Sequence, residues 1–502
     1  MSTTGAGVDG GRVFAAVDIG ASSGRVILGR VKGHKKDTDD GGPAVDLQVV
    51  HRFPNGVVEL DGGLRWDFDS LFAEVLKGLA TAAETAAEAG ESIASIGIDT
   101  WAVDYGLVNK AGELVAQPFS YRDGRSASAV ERVHSVLDPE RLYATTGLQF
   151  LQFNTIYQLA TEQDLDGVQA LLIPDLIAFL LTGQRRTEAT NASTTGLFDA
   201  VAGEWASEFF TALGLREDLF PPLIQPGETV GTILPGIAEK TGLAPQTAVV
   251  AVGSHDTASA VAAVPAETEN FAYISSGTWS LVGVELRHPV LTEASRQANF
   301  TNERGVDGTI RYLRNVGGLW LLSECQREWA ARHGEEVPLP ELLEDAAALP
   351  AGGPQVNADD PAFIAPDGMP ERIRAAVRAS GGELADDPAA ITRCIMDSLA
   401  AGYARTISDA ERLFGSTVEV VHVVGGGSQN RLLCQLTAEA TGKTVIAGPV
   451  EATALGNVLI QARAAGHVNG NLRELRRLIR PAEPLLLRPV APAVPGHAAL
   501  AD

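Results

Sequence analysis

Cysteine is scarce in this chain: three among 502 residues, an odd number with no close pair. That excludes a disulfide scaffold and a cysteine-built zinc site. Lysine is scarce as well. Only seven of the 39 basic residues are lysine, so arginine carries most of the positive charge. Against 63 acidic residues this leaves a net charge of −24. A nucleic-acid partner needs a basic face, and an anionic membrane attracts basic segments, so both are excluded as partners. No apolar run reaches the ~18–20 residues that span a bilayer. Residues 1–12, MSTTGAGVDGGR, lack the basic-then-apolar order of a secretory signal. The expectation is an acidic cytoplasmic enzyme, with the length of two or more domains.

What is present reads as alternating strands and helices. Val13–Val17 is a short continuous apolar run, as a strand buried on both faces requires. A Gly/Ser turn follows, then Arg25–Leu28. Residues 34–46 are polar and read as a surface loop. Asp69 is placed to N-cap a helix bearing Leu71, Val75 and Leu79 on one face, with Gly90 stopping it. Ser95–Ile98 and Thr247–Val252 are further strand candidates. The second half starts again in the same way: Phe271–Ile274, a turn at Ser275-Ser276-Gly277-Thr278, then Trp279–Val284. There is no short-period repeat, so the pattern is two similar halves. The expected division is a flexible tail at 1–12, a domain at 13–264, a domain at 265–480 with a loop-rich insertion at 334–390, and an irregular tail at 481–502.

Several motifs compete. Gly5–Gly10 fits GxGxxG, but no strand precedes it, and a dinucleotide loop needs one. Gly20-Ala21-Ser22-Ser23-Gly24 fits GxSxG, but a nucleophile elbow needs a helix next, and Arg25–Leu28 favours strand. The same turn suits a phosphate cradle. Its glycines allow positive φ and close approach, its N–H groups form an anion nest, Ser22 and Ser23 add hydroxyls, and Arg25 adds charge. Asp18 at the strand end suits magnesium. An ordinary polar hairpin is the plain alternative. A second such turn at Ser275–Thr278 offers a grip on the other end of a triphosphate. Gly425-Gly426-Gly427 leaves room for a flat group such as adenine, or is simply a tight strand-to-helix loop. GxxxxGK[ST] does not occur. Asp256, after a buried strand and before a small-residue helix, is either an N-cap or a general base. His255, on the strand end, is expected to point away from it. Trp101 and Tyr105 read as core packing.

Taken together, AAVDIGASSGRVILGRV (15–31), SIGIDTWAVDYGLV (95–108), SHDTASAVAAVP (254–265), YISSGTWSLVGVE (273–285) and VVGGGSQNRLL (423–433) resemble the FGGY carbohydrate kinases of the actin-like ATPase superfamily. The matching words run in order along nearly the whole chain. The resemblance implies an α/β fold of two actin-like (ribonuclease H-like) domains with an interdomain cleft. It implies ATP as phosphoryl donor, Mg2+, and transfer to the 1-hydroxyl of a small ketose: L-rhamnulose foremost, with L-fuculose, L-ribulose or xylulose as alternatives. A non-catalytic ATP or sugar sensor is the reading from another class. The resemblance makes Asp256 the proton acceptor. It places Ala102, His255, Asp256, Thr257 and Asn315 on the sugar. It puts Ala21, Ser22, Ser23, Gly24, Arg25 and Thr278 on phosphates, Gly426 and Asn430 near the base, and Asp18 on the metal. Oligomeric state is left as monomer or homodimer. Two positions depart from the family pattern. Ala102 stands where Gly is expected, adding a methyl to the sugar pocket, and Ser323 stands where Gln is expected near the nucleotide.

Overall fold

A computed structural model describes residues 12–32, 45–335, 337–365, 367–480 and 484–489. Of the expected tail at 1–12, residues 1–11 lie outside the described residues and Arg12 begins the first strand; most of the 34–46 loop, and the C-terminal tail apart from 484–489, also lie outside them.

The chain packs as two compact units. Of the described residues, the first comprises those within 12–269, 283–314 and 451–480. Its six-stranded sheet has the order Thr229–Thr232, Ala248–Val250, Ser92–Thr100, Arg12–Ile19, Ser23–Val31, Val45–Pro54. The apolar run at 13–17 is explained by burial on both sides. Val13, Ala15 and Val17 join a core with Leu71, Val75 and Leu79. Phe14 and Ala16, pointing the other way, join a core with Val458, Leu459 and Ile460. Each fully buried side chain of this size contributes roughly 1.5–3 kcal/mol relative to exposure. The helix on the first face is Phe68–Glu88, capped by Asp67, which accepts from Ser70 N at 3.2 Å. The cap thus lies two residues before the expected Asp69, whose carboxylate instead accepts from Gln117 Nε2 at 2.7 Å. The helix stops before Gly90, at φ +72°.

Of the described residues, the second unit comprises those within 270–282, 315–450 and 484–489. Phe271–Ser276 pairs in parallel with Val420–Val424, which pairs in parallel with Thr444–Ala447. The full strand order is Thr301–Arg304, Ile310–Gly317, Trp279–Leu286, Phe271–Ser276, Val420–Val424, Thr444–Ala447, Leu485–Leu487. The strands Trp279–Leu286 and Ile310–Gly317 pass from one unit to the other along their length. The 27-residue helix Pro388–Phe414 starts on Asp387, which accepts from Ala390 N at 2.8 Å.

By packing, residues 283–314 and 451–480 join the first unit, alongside the expected sequence division at 264/265. The helix Ala452–Ala464 carries the apolar side chains that cover the Phe14/Ala16 face, so it packs there. The 334–390 insertion is not chiefly loop. It holds helices Leu339–Ala348 and Met369–Ala379, each with proline in its first turn, the position proline favours. Leu342/Ala346 and Ile373/Val377 are buried at i, i+4 spacing.

Candidate active site

In the first unit, the strand Arg12–Ile19 delivers Asp18 to its C-terminal end, and the hairpin partner returns Arg25 opposite it. Arg25 Nε and Nη2 both donate to Asp18 Oδ2, at 3.0 and 2.8 Å. Arg25 Nη1 lies 2.5 Å from Glu451 Oε2. The guanidinium therefore bridges two carboxylates, and its charge is already committed. Between them the turn closes through Gly20 N donating to Ser23 O at 2.9 Å, with Ser22 and Ser23 exposed. The expected positive φ at Gly20 and Gly24 does not occur. Gly24 is required for another reason: a Cβ there would overlap the Phe53 ring.

Asp99 stands beside Asp18 in the parallel register of Ser92–Thr100. Its Oδ2 accepts from Asn457 Nδ2 at 2.6 Å, and its buried Oδ1 has no hydrogen-bond partner. Burial raises both carboxyls. Asp99 is held well above its ordinary range, with the neighbouring Asp18 adding to burial. Asp18 is raised by burial that the Arg25 charge only partly offsets. The charge of Asp256 acts on both, so three carboxylates share one electrostatic neighbourhood.

Asp256 opens the helix Asp256–Ala262. It is not the N-cap, since His255 occupies that position. With 34% of its side chain exposed, Asp256 faces solvent more than any of its acidic neighbours here, and it accepts from Thr257 Oγ1 at 3.0 Å. His255 does not point away as expected. Its Nε2 lies 3.5 Å from Asp256 Oδ1. The segment leading to it is fixed by buried Glu188, which accepts from Ser254 N at 3.1 Å and Ser254 Oγ at 2.7 Å.

Ala102 lies in a tight loop with half-buried surface. The next residue, Val103, has φ +69°. A β-branched residue in that region is a true outlier, costing about 1–3 kcal/mol. The loop is held by Asp104, which accepts from Trp66 Nε1 (2.7 Å), Trp101 Nε1 (3.0 Å), Gln158 Nε2 (2.9 Å) and Tyr121 N (3.1 Å). Burial still pushes Asp104 up to about 6. Trp101 packs on Trp66, ring centroids 4.2 Å apart, so its core reading stands, as does that of buried Tyr105.

In the second unit, Thr278 is exposed on the turn after Phe271–Ser276. The carbonyls of Gly277 and Thr278 accept from Leu319 N (3.0 Å) and Trp320 N (3.2 Å), which seats the turn on the start of helix Trp320–His333. Asn315 is half-buried in Ile310–Gly317. Gly425 has φ +81°, and Gly426 is exposed with open space where a Cβ would stand. Asn430, expected near the base, is buried and its side chain is spent otherwise. Its Oδ1 caps Arg431–Thr441 by accepting from Leu433 N at 3.0 Å, and its Nδ2 faces Met396 Sδ at 3.2 Å.

This arrangement has the parts for phosphoryl transfer: an accessible carboxylate beside buried acidic groups in one unit, and amide-rich turns in both. Models of the FGGY family of carbohydrate kinases match the chain at 13–263 (N-terminal domain) and 272–465 (C-terminal domain). The chain belongs to the FGGY family of carbohydrate kinases. As a member it is an ATP-dependent carbohydrate kinase with the two-domain fold of that family. The rhamnulokinase of Bacteroides thetaiotaomicron is 42% identical over 478 residues, 94% of each chain. That of Bacillus subtilis is 37% identical over 477 residues, again 94% of each. The ligand-bound xylulose kinase of Lactobacillus acidophilus superposes with a TM-score of 0.75 at 16% identity, covering 95% of this chain and 94% of that one. The glycerol kinase of Plasmodium falciparum with ADP superposes at 0.73 and 15%, covering 96% and 94%. Those two show the FGGY fold.

Proposed function

We propose that this FGGY kinase is a rhamnulokinase, transferring the γ-phosphoryl group of ATP to the 1-hydroxyl of L-rhamnulose and yielding L-rhamnulose 1-phosphate and ADP. The observation that carries this reading is the likeness to curated rhamnulokinases at 37–42% identity along about 94% of the chain. The site supports it. A sugar hydroxyl is a weak nucleophile at neutral pH, and Asp256 is a partly exposed carboxylate placed to take its proton. His255 and Thr257 flank it for sugar hydroxyls, with Ala102 and Asn315 as further sugar contacts. Residues 21–25 and Thr278 serve the phosphates, and Gly426 leaves space for the base. Asn430 acts there through its helix cap.

Magnesium fits Asp18. Both Arg25 bonds fall on Oδ2, which leaves Oδ1 for a cation. Among the described residues no three His, Cys, Asp or Glu form a metal cage, and with Asp18 as its protein ligand a bound magnesium would draw its other ligands from water and phosphate, as this ion usually does. Bound there, it neutralises charge on the transferring phosphoryl group. The protein's own part is to hold Asp18, orient the sugar and accept the proton at Asp256. No helix of the described residues is long and apolar enough to cross a membrane, and we place the reaction in the cytoplasm.

ADP release measured over L-rhamnulose, L-fuculose, L-ribulose and xylulose tests the substrate, and a preference for any of the last three overturns it. Asp256→Asn is expected to lower kcat by about 10²–10⁴-fold with nucleotide binding retained. Near-normal kcat would remove Asp256 from the role of base.

A further inference from the structure

His255 is anchored by two residues outside the family's motif words. Glu303 on Thr301–Arg304 and Arg311 on Ile310–Gly317 face each other across an antiparallel pair, and both are buried, Arg311 completely. Glu303 Oε2 lies 3.0 Å from Arg311 Nη2 and 3.0 Å from His255 Nδ1. Arg311 Nη2 is itself 3.2 Å from His255 Nδ1. Arg311 Nε donates to Arg304 O at 3.0 Å, which fixes the guanidinium. Arg304 N donates to Ser193 Oγ at 2.9 Å, which fixes the strand. Burial alone would raise the Glu303 carboxyl, but the charges of Arg311 and His255 outweigh it and hold it below its ordinary value.

Stability does not explain such a pair, because a buried ion pair is often replaceable by apolar side chains without loss. The geometry does something an apolar pair cannot. His255 Nδ1 has an anion on one side and a cation on the other. Arg311 Nη2 stands at hydrogen-bond distance from Nδ1, and the Glu303 carboxylate lies beside the same nitrogen as an ion-pair partner. The ring is thus held from two sides at Nδ1, and its other nitrogen stays on the Asp256 side.

We propose that the Glu303–Arg311 pair is a positioning device that holds the His255 imidazole beside Asp256 and so orients the acceptor sugar. This rests on the reading of His255 as a sugar contact and Asp256 as proton acceptor. Neither Glu303 nor Arg311 touches substrate in this account; both act through His255.

The test is a double-mutant cycle of Glu303→Gln and His255→Asn on the full chain, read by KM and kcat for L-rhamnulose and, separately, KM for ATP. Glu303→Gln is expected to lower kcat/KM for the ketose by about 10–100-fold, the scale of a misplaced contact, with KM for ATP unchanged. Added to His255→Asn, it is expected to cost nothing more, since coupled residues are non-additive. Additive losses, or equal losses toward both substrates, overturn the proposal. If Glu303→Gln leaves the Arg311 charge uncompensated and the protein unfolds, Glu303→Gln/Arg311→Gln replaces it in the same cycle with the same expectations. Asp256→Asn separates the two readings. If it keeps turnover while the cycle stays non-additive, the base assignment falls and the positioning role stands.

Discussion

The two hairpin turns are built alike and armed differently. Each closes a strand pair whose first member, Arg12–Ile19 or Phe271–Ser276, also pairs in parallel with an inner strand. Counted back from the turn, Asp18 corresponds to Ser275. The residue beside Asp18 is Asp99, and the residue beside Ser275 is Val424. One turn thus carries two buried carboxylates and a guanidinium, and the other carries hydroxyls on an uncharged frame. Close packing is also solved twice. Gly24 gives way to the Phe53 ring, while Gly427 gives way to Ser276, against whose side chain a Cβ would collide. The same backbone serves two jobs because charge is assigned at single strand-end positions.

The sharpest way to break this comparison is to exchange the strand-end residues. Asp18→Asn is expected to lower kcat by about 10²–10³-fold and to raise the magnesium needed for half-maximal rate. Ser275→Ala is expected to stay within about tenfold. Equal losses in steady-state assays would mean that the two turns do not divide the work. Next comes packing. Gly24→Ala and Gly427→Ala are each expected to cost about 1–3 kcal/mol of stability in urea unfolding. Ser276→Gly should restore Gly427→Ala and leave Gly24→Ala unimproved.

A third difference is the buried acid at the first turn, Asp99, whose counterpart beside Ser275 is Val424. Asp99 is held protonated above its ordinary range by burial, then by Asp18. As pH rises from about 4, the unfolded chain ionises first and the native state loses ground. Asp99→Asn removes this loss. Its Tm relative to the unsubstituted chain, measured without nucleotide, is expected to be more favourable at pH 8 than at pH 5, and a difference that does not change with pH would contradict it. The smallest effect is expected at the rim. Glu451→Gln breaks one of the two ion pairs of a partly exposed Arg25 and should cost about 0.2–1 kcal/mol, read from the urea midpoint.

Much of this was legible in the sequence. Continuous apolar runs marked strands buried on both faces, and the Gly/Ser clusters marked the turns that close the two hairpins. Asp256 stood between two readings, N-cap and general base, and the structure gives the N-cap to His255. The anchors were not legible. Asn457 reaches Asp99 across 358 positions, and Gln461 reaches the Ala15 carbonyl across 446. Such pairings leave no local period or spacing. Glu303 and Arg311 read as ordinary strand charges until the antiparallel register sets them opposite each other. Asn430 shows a related limit: an Asn after glycines suits both a ligand and a helix cap, and here its Oδ1 accepts from the Leu433 amide. Val103 gave no warning, since valine ordinarily avoids the φ that Asp104 and its four donors impose.

The helix Ala452–Ala464 has a consequence for how the first unit can be divided. It supplies the Asn457 amide that donates to Asp99 Oδ2 and the side chains that cover Phe14 and Ala16. A fragment made of residues 12–269 therefore exposes one face of its own central strand and leaves Asp99 without that amide, so the first turn is properly examined only with residues 452–464 present.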